Sequence, residues 1–238
     1  MLRIIDARTR EPVAAAPARR GLTRVQVHAS DSDTTNLRVL LVGDLLVRTL
    51  ELGGTPVWAL LTGGTRQAEL RAYATTLGVR PFEDSPDVGA GLGESQVVHV
   101  AAEGGTAPDG VRIAVAPVES GPPDPSDPAV LRLALLTRHH SAPLRLETPA
   151  LDDARATLAR WRTAVARWAG RPSRPVPDGV RERLREAWED DLDVPGVLDV
   201  LRQVETEPDL ADGARFETYA YADRLLALDL TRDLGSSS

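Results

Sequence analysis

The chain has 238 residues, 42% of them hydrophobic and 26% charged, enough to bury the core of one large or two modest soluble domains. Its net charge of −7 disfavours a free-standing basic groove for nucleic acid. It has no cysteine, and all 28 basic residues are arginine, which excludes disulfides, thiolate metal sites, thiol nucleophiles and the lysines of Schiff bases and P-loops.

Residues 24–28 (RVQVH) alternate like a short strand, with residues 3–6 as a candidate partner. Residues 30–36 are polar and turn-like. A helix is predicted over 35–52, with Leu37, Leu40, Leu41, Leu45, Leu46 and Leu50 at helical spacing and Gly53-Gly54 ending it. On that helix Arg48 follows Asp44 by four residues, a pairing worth a few tenths of a kcal/mol on a surface. Residues 57–62 read as a buried parallel strand, 67–77 as a second helix stopped by Gly78, and 97–101 and 111–115 as two further strands. Strands alternating with helices imply an α/β fold with a parallel sheet.

Residues 119–127 (ESGPPDPSD) break this pattern, and beyond them the chain reads as helical. Asp127 can cap a helix that has Pro128 at its first position. Thr148-Pro149 opens another, with Leu151, Leu158, Trp161, Val165 and Trp168 on one face. After a proline-rich linker at 170–178, helices are expected at about 179–189, 195–205 and 214–230. The resulting division is a Rossmann-like nucleotidyl-transferase-type domain over 1–126, a connecting helical pair over 127–170 and a C-terminal helical domain over 171–238. The opening MLRIIDARTR has no apolar signal core, and no run reaches membrane-span length, so a cytoplasmic protein is expected.

Several segments carry a family resemblance. They are Ile5-Asp6-Ala7-Arg8-Thr9 with Pro12-Val13 and Arg24-Val25-Gln26-Val27, then Asn36-Leu37-Arg38 with Asp44-Leu45-Leu46-Val47-Arg48. Further on come Asp127-Pro128-Ala129-Val130-Leu131-Arg132-Leu133-Ala134-Leu135-Leu136 with His139 and Ser141-Ala142-Pro143-Leu144, and finally Glu186-Ala187-Trp188-Glu189-Asp190-Asp191-Leu192-Asp193-Val194-Pro195. In this order they resemble cysteinyl-tRNA synthetases. The resemblance implies a class I aminoacyl-tRNA synthetase fold: a truncated Rossmann-like (HUP-type) parallel-sheet domain followed by a C-terminal helical bundle.

The departures from that family are chemical. Where its HIGH signature meets ATP phosphates at a helix start, this chain has Asp33-Thr34-Thr35-Asn36, with Asp31 close by and no histidine. Carboxylates there repel a polyanion by about 1 kcal/mol per contact in water and several times that when partly buried. Where the KMSKS loop supplies a lysine, the chain reads Ala116-Pro117-Val118-Glu119-Ser120, with no cation and one acid. His28 falls near the family's first zinc-ligating cysteine, but the other ligands have no counterpart, and no basic anticodon-binding extension follows the last helix.

The resemblance therefore implies a cytoplasmic pseudoenzyme with no catalytic residues, a binding or regulatory module with an unknown protein or small-molecule partner. ATP enters only through the family, zinc is not expected, and neither tRNA nor a membrane is an expected partner. The alternative is an altered ATP-dependent aminoacyl ligase or nucleotide/amino-acid-binding enzyme acting on a small molecule, which needs arginines such as Arg38, Arg66 or Arg112 to hold phosphates. A tRNA-binding accessory role would rest on the arginine-rich helix at 155–171.

Asp33, Thr34, Thr35, Asn36 and Thr62 form the candidate cofactor-binding edge, since open α/β sheets bind ligands outside the carboxyl ends of their strands. The competing reading is a plain turn with Asp33 or Thr34 as helix cap, and Thr62-Gly63-Gly64 is a second loop on that edge. His28 is either a relic metal ligand or new site residue, or a structural residue at a strand end. His139 and His140 end a helix, where adjacent side chains do not face one site, so a cation-compatible helix terminus competes with metal binding. Asp190, Asp191 and Asp193 read as a cap and solvated turn, or as a metal site.

Overall fold

Leu22–Ala29 alternates between buried and half-buried side chains, as a strand with one face on a helix must, and it becomes the middle strand of the fold. The computed structural model describes residues 1–17, 21–64, 66–84, 94–120 and 127–235. In chain order the elements are β1 (Arg3–Ile5), β2 (Pro12–Ala14), β3 (Leu22–Ala29), α1 (Thr34–Leu52), β4 (Val57–Gly63), α2 (Gln67–Thr76), β5 (Glu83–Asp84), β6 (Glu94–Ala102), β7 (Val111–Val115) and β8 (Val118–Ser120). There follow α3 (Pro128–Leu136), β9 (Leu144–Leu146), α4 (Thr148–Ala169), α5 (Asp178–Glu189), α6 (Val194–Thr206) and α7 (Asp212–Leu226).

The main sheet has the order β5-β4-β3-β6-β7 and is parallel throughout. The chain leaves β3 towards β4 and β5, then returns to build β6 and β7 on the other side. The strand order therefore reverses between β3 and β6, and the crevice beyond their carboxyl ends is where such sheets place ligands. The α/β expectation and the helical C-terminal region both hold.

Helix α1 starts at Asp33, whose side chain accepts the Asn36 amide, and it is buried along most of its length. It lies on the Val25/Val27 face of β3. A Cβ added at Gly43 would stand 2.5 Å from Val27 Cγ2 and 3.3 Å from Phe82 Cζ. Gly43→Ala is therefore expected to cost about 1–3 kcal/mol, read as a lower urea midpoint with an unchanged slope. Arg24, Gln26 and His28 project from the opposite face of the strand.

The N-terminal strand does not pair with β3, contrary to expectation. Both edges of β3 are taken by β4 and β6, so β1 pairs antiparallel with β2 and forms an isolated bridge to Asp190. The start of the break read at 119–127 holds structure not foreseen: β8 pairs in parallel with β9, and residues 121–126 of that break lie outside the described residues. The last helix ends at Leu226, not near 230. Ala227 takes a left-handed φ of 48°, and the Asp223 carboxylate accepts the amides of Leu228 and Leu230, turning two leucines into the core.

Asp127 caps α3 with Pro128 in its first turn, as expected. Trp161 and Trp168 of α4 meet the edge of Tyr219 on α7 at 5.7 and 5.2 Å, and the Tyr219 hydroxyl donates to the Leu201 carbonyl at 2.9 Å. A single hydrophobic cluster runs from β3 through α1 and α3 to Leu230. Among the described residues, no helix is long and apolar enough to cross a membrane.

Candidate functional site

A cavity of about 350 Å³ opens at the carboxyl ends of β3, β4 and β6, where the strand order reverses. Its lining includes His28, Asn36, Thr62, Gly63, Ala101 and Thr106. Its second wall, Thr62-Gly63-Gly64, has a structural reason. A Cβ on Gly63 would lie 2.8 Å from the Ala29 carbonyl oxygen, and one on Gly64 would lie 2.7 Å from that of Ser30. The glycines let the end of β4 close against the end of β3.

His28 on β3 and His99 on β6 share a sheet face, and their rings bond across the switch point, Nε2 to Nδ1 at 3.0 Å. His99 is 2% exposed and also hydrogen-bonds the Asp109 carbonyl. That network assigns the tautomers. His99 donates to Asp109 and accepts from His28, which leaves the lone pair of the pair on His28 Nδ1. Burial, with His28, Arg24 and Arg112 nearby, pushes His99 down to about 4. Burial and Arg112 also lower His28. Both imidazoles are thus neutral at pH 7, the form that accepts a proton or a ligand bond. His99 escaped the sequence reading because VVHVAA reads as a core strand. The signal was there in the alternation, which puts His99 on the face opposite Val98 and Val100.

The loop from Ser30 to Asn36 is tied to itself. Asp33 Oδ1 accepts the Asn36 amide at 2.7 Å, and both Asp33 oxygens accept the Asn36 side-chain amide at 3.1 Å. Asn36 Oδ1 accepts the Ser30 amide at 3.2 Å. Thr35 Oγ accepts the Val118 amide at 3.0 Å, so the segment matching the KMSKS region lies against the start of α1. Its one acid, Glu119, pairs with Arg145 at 2.7 Å. Thr62 Oγ accepts the Gln26 side-chain amide at 2.7 Å, and Thr34 is buried at the helix start. Asn36 and Thr62 line the cavity; Asp33, Thr34 and Thr35 shape the loop beside it.

Two of the three arginines considered for phosphates are engaged elsewhere. Arg38 is 1% exposed and donates to the carbonyls of Ala116, Arg138, His139 and Ala142 at 2.8–3.3 Å. Burial lowers it to about 10, and it stays charged at pH 7. Arg112 donates to the Gly105 and Ala107 carbonyls at 3.3 and 2.9 Å, and Arg66 precedes α2 at the surface. On the helix once considered for tRNA, Arg160 pairs with Glu205, and Arg162 donates to the Leu228 and Asp229 carbonyls.

His139 and His140 lie past the end of α3, not on it, so the helical argument for separating them does not apply. Both Nε2 atoms lie 2.9 Å from the Asp191 carbonyl oxygen. Asp193 caps α6 through the Gly196 amide at 3.0 Å, and Asp190 meets Arg3 at the surface.

Part of the sequence is shared with known ligases. A stretch of 75 residues is 48% identical to the L-cysteine:1D-myo-inositol 2-amino-2-deoxy-alpha-D-glucopyranoside ligase of Thermobispora bispora, covering 31% of this chain and 17% of the relative. About a third of this chain is thus similar to a protein named as a cysteine ligase. The ligase of the same name from Streptomyces griseus subsp. griseus is 46% identical over 72 residues, 30% of this chain and 17% of the relative. That from Acidothermus cellulolyticus is 35% identical over 105 residues, 44% of this chain and 25% of the relative. The matches thus span between a sixth and a quarter of these relatives' length. No family profile matches the chain. The expected kinship with cysteinyl-tRNA synthetases is narrowed by these names to a related ligase group, named for L-cysteine and an amino-sugar inositol and not for tRNA.

Proposed function

We propose that this chain is a cysteine-ligase-like binding module that forms no aminoacyl-adenylate and holds a small, uncharged polar ligand in the crevice between His28, Asn36 and Thr62. The observation that carries this reading is Asp33. A helix start attracts phosphate through its free amides and dipole. Here the protein's own carboxylate takes the Asn36 amide at 2.7 Å and brings a negative charge to the same place. The absence of lysine supports the reading, because no lysine ammonium can shield a transferring phosphate. The neutral imidazole pair and the hydroxyl and amide groups of the lining suit a neutral polar molecule better than a polyanion.

The test is ATP–pyrophosphate exchange with L-cysteine, alongside a thermal-shift series with ATP and with amino sugars. No exchange and no shift with ATP is the expected outcome, with a shift confined to the neutral ligands. Exchange above background overturns the reading. In Asp33→Ser, which keeps a capping oxygen and removes the charge, ATP affinity is expected to rise by about fivefold or more, as one like-charge contact at about 4 Å implies. A second reading, an altered ligase acting on a small molecule, is favoured by one feature. The lone pair of His28 Nδ1 makes a base available in the crevice.

A further inference from the structure

We propose that His139, His140 and Asp191 form a binding site for a late first-row divalent cation such as zinc, at the joint between the sheet and the C-terminal helices. One donor atom from each residue lies within 4.8 Å of the others. The two Nε2 atoms stand 3.6 and 3.5 Å from Asp191 Oδ2. Metal–ligand bonds of about 2.0–2.1 Å at tetrahedral angles put neighbouring donors about 3.3–3.4 Å apart. Both histidine–carboxylate distances therefore match a cation's coordination sphere, and binding exchanges the contact of each Nε2 with the Asp191 carbonyl oxygen, at 2.9 Å, for the metal. Two imidazoles with one carboxylate and no thiolate select zinc, copper, nickel or cobalt over magnesium and calcium.

Three separate stretches of chain converge to make this arrangement. Arg38 binds the Arg138, His139 and Ala142 carbonyls and fixes the turn that carries the two histidines. Asp191 is held from the other side, its Oδ1 accepting the Ile5 amide at 2.8 Å and its own amide donating to the Arg3 carbonyl at 2.8 Å. Oδ2 is thereby turned to the histidines. Asp191 and Leu192 are consecutive non-glycine residues with φ of 52° and 56°, and burial of the Leu192 side chain holds them there.

A cation moves the proton of each ring, because both Nε2 atoms donate to the Asp191 carbonyl oxygen at 2.9 Å in its absence. With both Nε2 atoms on the metal, each ring keeps its proton on Nδ1. His139 Nδ1 lies 2.7 Å from Ser141 Oγ, which can accept it. His140 is 7% exposed, and its Nδ1 is buried with no protein partner, so the change of tautomer gives up one bond, from Nε2 to the Asp191 carbonyl at 2.9 Å. His140, Ser141 and Asp191 also line a separate cavity of about 330 Å³ together with Arg10 and Arg112. Three protein ligands leave a position open, and a ligand in that cavity can complete the coordination.

The test uses the full chain, stripped with a chelator and titrated with zinc by calorimetry and with cobalt by visible absorption. One cation per chain, a cobalt band of tetrahedral intensity and a zinc-dependent rise in melting temperature are expected. His139→Gln, at a half-exposed position, and Asp191→Asn, which tolerates the left-handed backbone and keeps an acceptor for Ile5, should each weaken binding by about tenfold or more. His28→Gln should leave it unchanged. Three results overturn the proposal: millimolar, non-saturating binding only; affinity that survives both substitutions; or loss of binding with His28→Gln alone, which would put the cation at the sheet crevice. Because adenylate formation is not read, this outcome is independent of the pyrophosphate-exchange result.

Discussion

Replacing Asp44 with alanine is expected to remove about 3–5 kcal/mol of stability and to lower the melting temperature by about 10 °C or more. The Asp44 carboxylate is fully buried and faces Arg48 at 2.8 Å, Arg80 at 3.1 Å and Arg132 at 3.2 Å. Arg132 is itself 0% exposed, with its remaining donors on the Leu226 and Leu77 carbonyls. Arg48 likewise reaches the carbonyls of Gly78 and Arg224. One carboxylate thus joins α1, the chain after α2, α3 and the end of α7. Without it, the buried Arg132 guanidinium loses its hydrogen-bonded counter-charge while Arg48 stays beside it, and only the more distant Asp223 offsets its desolvation. Thermal melts of Asp44→Ala, Arg132→Ala and the double variant test this. The double variant should be less destabilised than the sum of the singles, because removing Arg132 also removes the stranded charge. Strict additivity would show that the hub is not an energetic unit.

Stability should also fall by roughly 3 kcal/mol between pH 6.5 and pH 4 through His99 alone. In the folded chain its imidazole is held at about 4 by burial and by His28, Arg24 and Arg112. In the unfolded chain it titrates at its ordinary value of 6.5. Above pH 6.5 neither state binds the proton and the full stability is present. As pH falls the unfolded state takes up the proton first, so stability is lost progressively until the folded pKa is reached. His28 and His139, also lowered, act in the same direction. Urea unfolding at a series of pH values, compared with His99→Gln, isolates the His99 share. The variant should show a visibly flatter profile over this window, and superimposable profiles would mean that His99 is protonated in the folded state.

The Asp44–Arg48 spacing was readable as an i, i+4 pair, but its weight was not. A surface pair and a buried hub have the same four-residue spacing. What separates them is Arg132, 88 residues away, and the burial that raises the cost of losing either charge. His28 and His99 present the same problem. Each sits in a strand pattern that is legible by itself, but their bond depends on β3 and β6 being neighbours, which the strand order decides. His139 and His140 were read on a helix, where they would diverge. The helix ends at Leu136, Arg38 holds the following turn, and both rings reach Asp191.

The sequence by itself determined the main elements and their class. Leucine spacing marked α1, alternation marked the strands, Asp127-Pro128 marked a helix start, and strand–helix alternation implied a parallel sheet. It also determined which chemistry is missing, because a chain with no lysine and no cysteine cannot supply a lysine ammonium or a thiolate wherever it folds. Local sequence governs these features through backbone geometry and composition. Only the tertiary structure decided where the functional groups meet. The histidine pair, the histidine–aspartate cluster and the Asp44 hub each join residues from distant parts of the chain. Their character comes from burial and mutual distance, and neither quantity is carried by sequence spacing.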